Sequence, residues 1–183
     1  MSLAEEKKAA RAAALARRAE AHVQWSGHAA GHLSEILAGY RGVPLAGYMA
    51  MRDEIDPLPA LEEAAAHGPV GLPTITAPAT PLVFRLWEPG AEMVAARFGT
   101  SEPTGEVMRP EILVVPLVSF TRAGARLGYG GGFYDRTLEL LRRDGPVLAI
   151  GFAYSAQEAE FLPQEPTDAP LDMIVTEAGV LTF

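Results

Sequence analysis

Two rhythms of apolar residues run along this chain. In the first stretch, small and apolar residues recur at helical spacing. Ser2 with Glu5 has the spacing of a capping box, and the alanine-rich run after it has high helix propensity, so residues 3–39 are expected to be mostly helical. Gly27 and Gly31 weaken the middle and predict two helices or a kink there. Beyond residue 40 the rhythm changes to short apolar runs broken by turn residues. VPLAGYMAM (Val43–Met51) reads as a buried strand, and Pro57 to His67 as a helix with proline near its start. PVGLPTIT (69–76) and PLVFRLW (81–87) read as short strands. EILVVPLVSF (111–120) gives the strongest strand signal, a continuous apolar run of the kind found in a sheet covered on both faces. Tyr134 to Arg143 is expected to be a helix, PVLAIGFAY (146–154) a buried strand, and MIVTEAGVLTF (173–183) one or two more. The Gly-, Pro- and Glu-rich region from Pro89 to Pro110 reads as a long surface loop. Strands separated by helices predict an α/β layered domain. Its largely parallel sheet would be flanked by helices, with the N-terminal helices packed on it. No internal repeat or low-complexity linker divides the chain, and 183 residues suit one domain, 1–183.

Composition narrows the function classes. At 49% hydrophobic and 21% charged residues the chain reads as globular. The absence of cysteine excludes disulfides, thiol catalysis and cysteine-based zinc sites, and fits a reducing, cytoplasmic setting. The longest apolar run, Ile112 to Phe120, is too short to span a bilayer and contains a proline, so no membrane partner is expected. The N-terminus lacks the apolar core of a signal peptide. A net charge of −8 argues against nucleic acid as a partner. Positive charge is nevertheless concentrated locally. The only two lysines, Lys7 and Lys8, are followed by Arg11, Arg17 and Arg18. That cluster fits either a solvated helix face or contacts to a small anion. His28 and His32 stand at i, i+4, but no H-E-x-x-H motif surrounds them, and a zinc site is set aside.

The chemistry concentrates in RLGYGGGFYD, Arg126 to Asp135, where four glycines fall in five positions before a helix. Such a run allows positive φ and leaves backbone N–H groups unobstructed, and a helix N-terminus behind it favours an anion. Phosphate suits the combination. The third glycine of a dinucleotide fingerprint would fall on Phe133, and no Gly-Lys-Ser/Thr follows, so neither the Rossmann nor the Walker pattern applies. A valine at Gly131 is expected to block the phosphate and to resist positive φ. Asp135 reads either as an acid favoured by the helix dipole or as a ligand of nucleotide-borne Mg²⁺.

The run VPLVSFTRAGARLGYGGGFYD (115–135) closely resembles the signature of the 5-formyltetrahydrofolate cyclo-ligase family. The resemblance extends to KKAARAAALARR (7–18), YMAMRDEID (48–56), FGTSEP (98–103) and PTDAPLDMIVTEAG (166–179). It implies ATP- and Mg²⁺-dependent closure of 5-formyltetrahydrofolate to 5,10-methenyltetrahydrofolate, giving ADP and phosphate by way of a phosphorylated formyl oxygen. The resemblance assigns ATP contacts to Lys7, Arg11, Arg126, Leu127, Gly128, Tyr129, Gly130, Gly131, Gly132, Phe133 and Tyr134. Folate contacts would come from Met49 and Glu54, with Tyr129, Gly130, Gly131, Gly132 and Phe133 bordering both substrates. Arg126 and Tyr129 would be catalytic, and Asp135 and Asp168 would hold Mg²⁺. Departures from the family pattern are Ala10 for leucine, Thr121 for aspartate, Phe133 for tyrosine and Thr167 for histidine. The expected partners are small molecules, a reduced folate and ATP. Two other classes stay open at this level: a non-catalytic nucleotide- or anion-binding module, and a sugar-phosphate or coenzyme A enzyme on a related α/β scaffold.

Overall fold

The structure is a computed structural model describing residues 2–183. The chain runs α1 (Leu3–Trp25), α2 (Gly31–Ala38), β1 (Leu45–Ala46), α3 (Leu58–Ala65), β2 (Val70–Thr74), β3 (Val83–Trp87), β4 (Met93–Ala95), β5 (Ser101–Pro103) and β6 (Val107–Met108). It continues through β7 (Ile112–Pro116), β8 (Ser119–Phe120), β9 (Arg126–Leu127), α4 (Phe133–Asp144), β10 (Leu148–Phe152), β11 (Met173–Thr176) and β12 (Gly179–Thr182). The expected capping box at Ser2 and Glu5 is present, and the helical region divides between Trp25 and Gly31 as the glycines predict.

Eight strands form the main sheet in the order β12-β11-β10-β7-β1-β2-β3-β6. Its centre is parallel: β1 pairs with β2 and β7, and β10 with β7 and β11. Antiparallel strands finish both sides, β12 on β11 and β3 with β6 beyond β2. The alternation along β7 explains its continuous apolar sequence. Ile112 and Val114 join the core with Leu33, Leu37 and Leu61 of α2 and α3, while Leu113 and Val115 join the other with Leu138 and Leu141 of α4. Each such side chain, fully buried, contributes about 1.5–3 kcal/mol.

From β1 the chain moves sideways to β2, whereas β7, β10 and β11 are laid down on the opposite side of β1. Helix α3 therefore covers one face and α4 the other. Between β1 and β7 the connections diverge, and a crevice opens at the carboxyl ends of the strands.

Three expectations are corrected. The strand foreseen over 43–51 is confined to Leu45–Ala46, after which only Gly47 N–H bonds the neighbouring strand, to the Gly71 carbonyl at 3.0 Å. The chain then leaves the sheet, and Glu54 N–H closes a turn on the Met51 carbonyl at 3.0 Å. The run 111–120 is two strands in two sheets. Pro116 has no N–H for a ladder, and past it Ser119 and Phe120 pair with Leu127 and Arg126 in a separate hairpin. The supposed loop 89–110 contains the β4–β5 hairpin and the edge strand β6. Its Gly and Pro residues mark turns between very short strands, which periodicity cannot resolve. Among the described residues no helix is long and apolar enough to cross a membrane.

Candidate functional site

A cleft of about 1050 Å³ lies at the carboxyl ends of β1, β2 and β7. All the residues assigned above to ATP, folate and Mg²⁺ line it, from Lys7 and Arg11 through Met49 and Glu54 to the 126–135 stretch and Asp168. A smaller cavity of about 380 Å³ between α2 and α3 contains none of them.

The β8–β9 hairpin brings the glycine stretch to the cleft. Thr121 holds its turn: the Thr121 N–H donates to the Ala125 carbonyl at 2.9 Å, and the Thr121 hydroxyl accepts from Ala125 N–H at 3.2 Å. The threonine thus supplies the acceptor that an aspartate would supply at this position. Leu127 is buried with Ala125 and Leu162, and Ala10 of α1 packs on them, which brings that helix close to the hairpin. Arg11 Nε then donates to the Gly128 carbonyl at 2.8 Å.

Within the stretch, positive φ occurs at Gly130 (101°) and Gly132 (67°). Gly131 does not have positive φ, contrary to expectation; a Cβ there would lie 3.0 Å from the Phe133 ring. Gly132 is the N-cap of α4 and offers no side-chain cap, so the first N–H groups of the helix stay available for an anion. Arg136, one turn into α4, folds back to donate to the Gly131 carbonyl at 2.6 Å and lies 5.3 Å from the centre of the Phe133 ring.

Charge is arranged in pairs along the rim. Arg126 is buried and ion-paired with Asp135, whose carboxylate also accepts from Ala169 N–H at 2.9 Å. Lys7 Nζ donates to Glu165 at 2.7 Å and to Asp168 at 3.2 Å. Burial would lower the Lys7 pKa, but the two carboxylates outweigh it and hold the ammonium above its ordinary value. Asp168 also accepts from Glu165 N–H at 2.8 Å, so it shapes its own turn as well as facing Lys7.

Across the cleft, Glu54 is buried and accepts from Met51 N–H at 2.9 Å. Burial raises its pKa, against the opposing pull of the Met51 amide, the Tyr129 hydroxyl and Arg18. Tyr48 fixes this loop from below by donating to the Ile55 carbonyl at 2.7 Å. Met49 is half-buried, packing against the core while also lining the cleft.

Asp135 and Asp168 place carboxylate oxygens, the donor type suited to magnesium, on the same rim, and each is paired with a cation, Arg126 and Lys7 respectively. Among the described residues no group of three or more His, Cys, Asp or Glu residues gathers as a ready metal cage. Two carboxylates without a cage fit an ion that takes its remaining ligands from phosphate and water.

No site role follows from the sequence for Glu165 or Arg136, while Arg18 reads only as part of a basic cluster and Phe98 only as part of the FGTSEP run. Arg18 had a signal: it lies eleven residues from Lys7, three helical turns along the same face, and both are buried. Glu165 had none, since its partner Lys7 is 158 positions away. Phe98, 76% exposed, takes a left-handed φ of 59° at the tip of the β4–β5 hairpin and lines the cleft mouth.

Comparison with known proteins gives a consistent picture. Residues 2–177 match the model of the 5-formyltetrahydrofolate cyclo-ligase family. A 5-formyltetrahydrofolate cyclo-ligase from Escherichia coli K12 is 35% identical over 144 residues, covering 74% of this chain and 79% of its own. The NMR structure of Aquifex aeolicus 5,10-methenyltetrahydrofolate synthetase superposes with a TM-score of 0.74 at 27% identity, covering 96% of this chain and 92% of that one. A 5,10-methenyltetrahydrofolate synthetase from Mycoplasma pneumoniae shares the fold, with a TM-score of 0.68 at 23% identity, covering 94% of this chain and 99% of that one.

Proposed function

The chain belongs to the 5-formyltetrahydrofolate cyclo-ligase family, and from that premise we infer that it closes 5-formyltetrahydrofolate to 5,10-methenyltetrahydrofolate with ATP in this cleft. One observation carries the assignment of the site: a single cleft has phosphate-binding features on one wall and the buried carboxylate of Glu54 on the other.

The substrate's formamide carbon is a weak electrophile, and its oxygen is a poor leaving group. Transfer of the γ-phosphoryl group to that oxygen releases ADP and makes the oxygen expellable. Nitrogen 10 then attacks the activated carbon, phosphate departs, and loss of the nitrogen 10 proton leaves the methenyl bridge. The protein's work is positioning and charge compensation. Lys7, Arg11 and Arg126 face the phosphates, joined by the free N–H groups that begin α4. Gly130, Gly131 and Gly132 let the backbone approach them. Glu54, an acceptor-only group, takes the pterin N–H donors, and Met49 lies beside the ring. Tyr129 stands between the two halves. Phe133 and Tyr134 help exclude water that would otherwise take the phosphoryl group. Asp135 and Asp168 would hold Mg²⁺, which when bound neutralises phosphate charge. The chain is read as one cytoplasmic domain, 1–183, with small-molecule partners and no role for nucleic acid.

The direct test is the absorbance of the methenyl product formed from 5-formyltetrahydrofolate with and without MgATP. Absence of product with both substrates present overturns the reading. A sharper check uses tetrahydrofolate lacking the formyl group, which offers its pterin to Glu54 but no oxygen to phosphorylate. It is expected to inhibit and to support little ADP release. ADP release as fast as with 5-formyltetrahydrofolate would mean an ATPase of another kind.

The Glu54 carboxyl gives a pH prediction. Its protonated form loses acceptor capacity, and burial places its pKa above the ordinary 4.5. As pH falls through that raised value, kcat/KM for the folate is expected to fall about tenfold per unit. Glu54→Gln should lower kcat/KM and flatten this acid limb. An unchanged limb in the glutamine variant would assign the ionisation elsewhere.

A further inference from the structure

Arg18 is the largest side chain in the fully buried interior and is 1% exposed, although no substrate role above uses it. Its two terminal nitrogens reach in different directions. Nη1 donates to the Tyr129 hydroxyl at 2.5 Å and Nη2 to the Asp53 carboxylate at 2.5 Å. The guanidinium carbon lies 5.5 Å from the centre of the Tyr129 ring. Nε is buried with no partner among the described residues. One side chain from α1 thus joins the glycine stretch, through Tyr129, to the loop after β1, through Asp53 beside Glu54.

We propose that Arg18 is a positioning residue for the ring closure, holding the Tyr129 phenol against the Asp53–Glu54 turn so that the two substrate-binding walls keep a fixed separation. The inference rests on the reading of Tyr129 and Glu54 given above. Arginine has donors only, so the Tyr129 oxygen must accept from it, and the phenolic proton is left for another acceptor. Glu54 is the neighbouring acceptor. Desolvation and the Glu54 charge raise the Tyr129 pKa to about 12, against the pull of Arg18, so the phenol keeps that proton. Stability alone gives little reason for this arrangement. A buried ion pair is often no more stabilising than well-packed apolar residues of similar volume. Lysine does not reproduce it either, because a single ammonium on a flexible stem lacks the planar fork that spans two acceptors.

The test is a double-mutant cycle in the full chain with Arg18→Met, Tyr129→Phe and the pair, reading kcat and KM for 5-formyltetrahydrofolate alongside thermal unfolding. Each single substitution is expected to lower kcat/KM about 10- to 100-fold, as for other small misplacements of reacting groups. The double variant is expected to be little worse than either single one, because both break the same link. Arg18→Lys is expected to behave as Arg18→Met does, and it carries the same cycle if the methionine variant does not fold. Unchanged kcat/KM in a folded Arg18 variant overturns the proposal. So does a double-variant loss equal to the product of the single losses. No turnover in the parent chain overturns instead the reading of the site on which this rests.

Discussion

Asp135→Asn is expected to lower turnover of 5-formyltetrahydrofolate about 100- to 1000-fold at ordinary Mg²⁺, the scale seen when one electrostatic group is removed from a preorganised site. Two consequences combine. The carboxylate that compensates buried Arg126 becomes neutral, and one of the two proposed metal donors loses its charge. The substitution is nearly isosteric, and its amide oxygen still accepts from Ala169 N–H and Arg126. Loss of stability should therefore stay below the roughly 3–5 kcal/mol seen when a buried charge loses its partner altogether. Thermal unfolding measured beside turnover separates the two effects. A well-folded asparagine variant with full activity would remove Asp135 from the metal proposal.

Gly130→Val comes next in expected effect, and it replaces the substitution at Gly131 that the sequence suggested. Gly130 has φ 101°, beyond the left-handed region that other residues occasionally enter, and its missing Cβ faces Arg11 Nη2 at 3.2 Å. A β-branched residue there must either change the backbone or carry strain of about 1–3 kcal/mol while displacing Arg11. Moving the backbone N–H groups and Arg11 out of place for the phosphates, at about 1.4 kcal/mol per factor of ten, should lower ATP affinity roughly 10- to 100-fold. Gly128→Ala is the comparison, since its φ is not positive and, among the described residues, nothing lies within 4 Å of the added carbon. Unchanged ATP affinity in the Gly130→Val variant would show that the stretch serves chain geometry only. Equal losses at both positions would show that the phosphate needs open space along the whole stretch rather than the Gly130 conformation.

The contrast between Gly130 and Gly131 shows where sequence reading stops. Glycine density marks a backbone that something approaches closely, but the assignment of positive φ among neighbours depends on how the hairpin enters α4. The core was legible for a different reason. A run such as Ile112–Val115 is apolar on both faces because both faces are covered, and this follows from composition alone. What defeated the reading was length: β1, β8 and β9 have two residues each, too few to establish any period. In the site, local motifs were legible and cross-chain pairs were not. Asp135 stands out beside its glycines, yet nothing near Arg126 predicts that the two pair. Glu165 lies in an ordinary Pro-rich segment, and only folding brings it to Lys7. Arg18 was hidden by its neighbour Arg17, because an adjacent pair of arginines reads as surface charge until their faces are separated.

The placement of Lys7, Arg11 and Arg18 on the first helix has a consequence for the order of assembly. Lys7 meets Asp168 across 161 positions, Arg11 meets Gly128 across 117, and Arg18 meets Tyr129 across 111. During synthesis the helix that supplies these cations emerges before any of these partners. It can meet Asp168 only once the chain 161 positions further on has left the ribosome. Such distant pairings carry the larger loop-closure entropy, which nearer strand pairings reduce when they form first. The cleft is therefore sensitive to how much of the chain is present: a chain that ends before Glu165 encodes six of the eight strands of the main sheet, while Lys7 lacks both of its counter-charges.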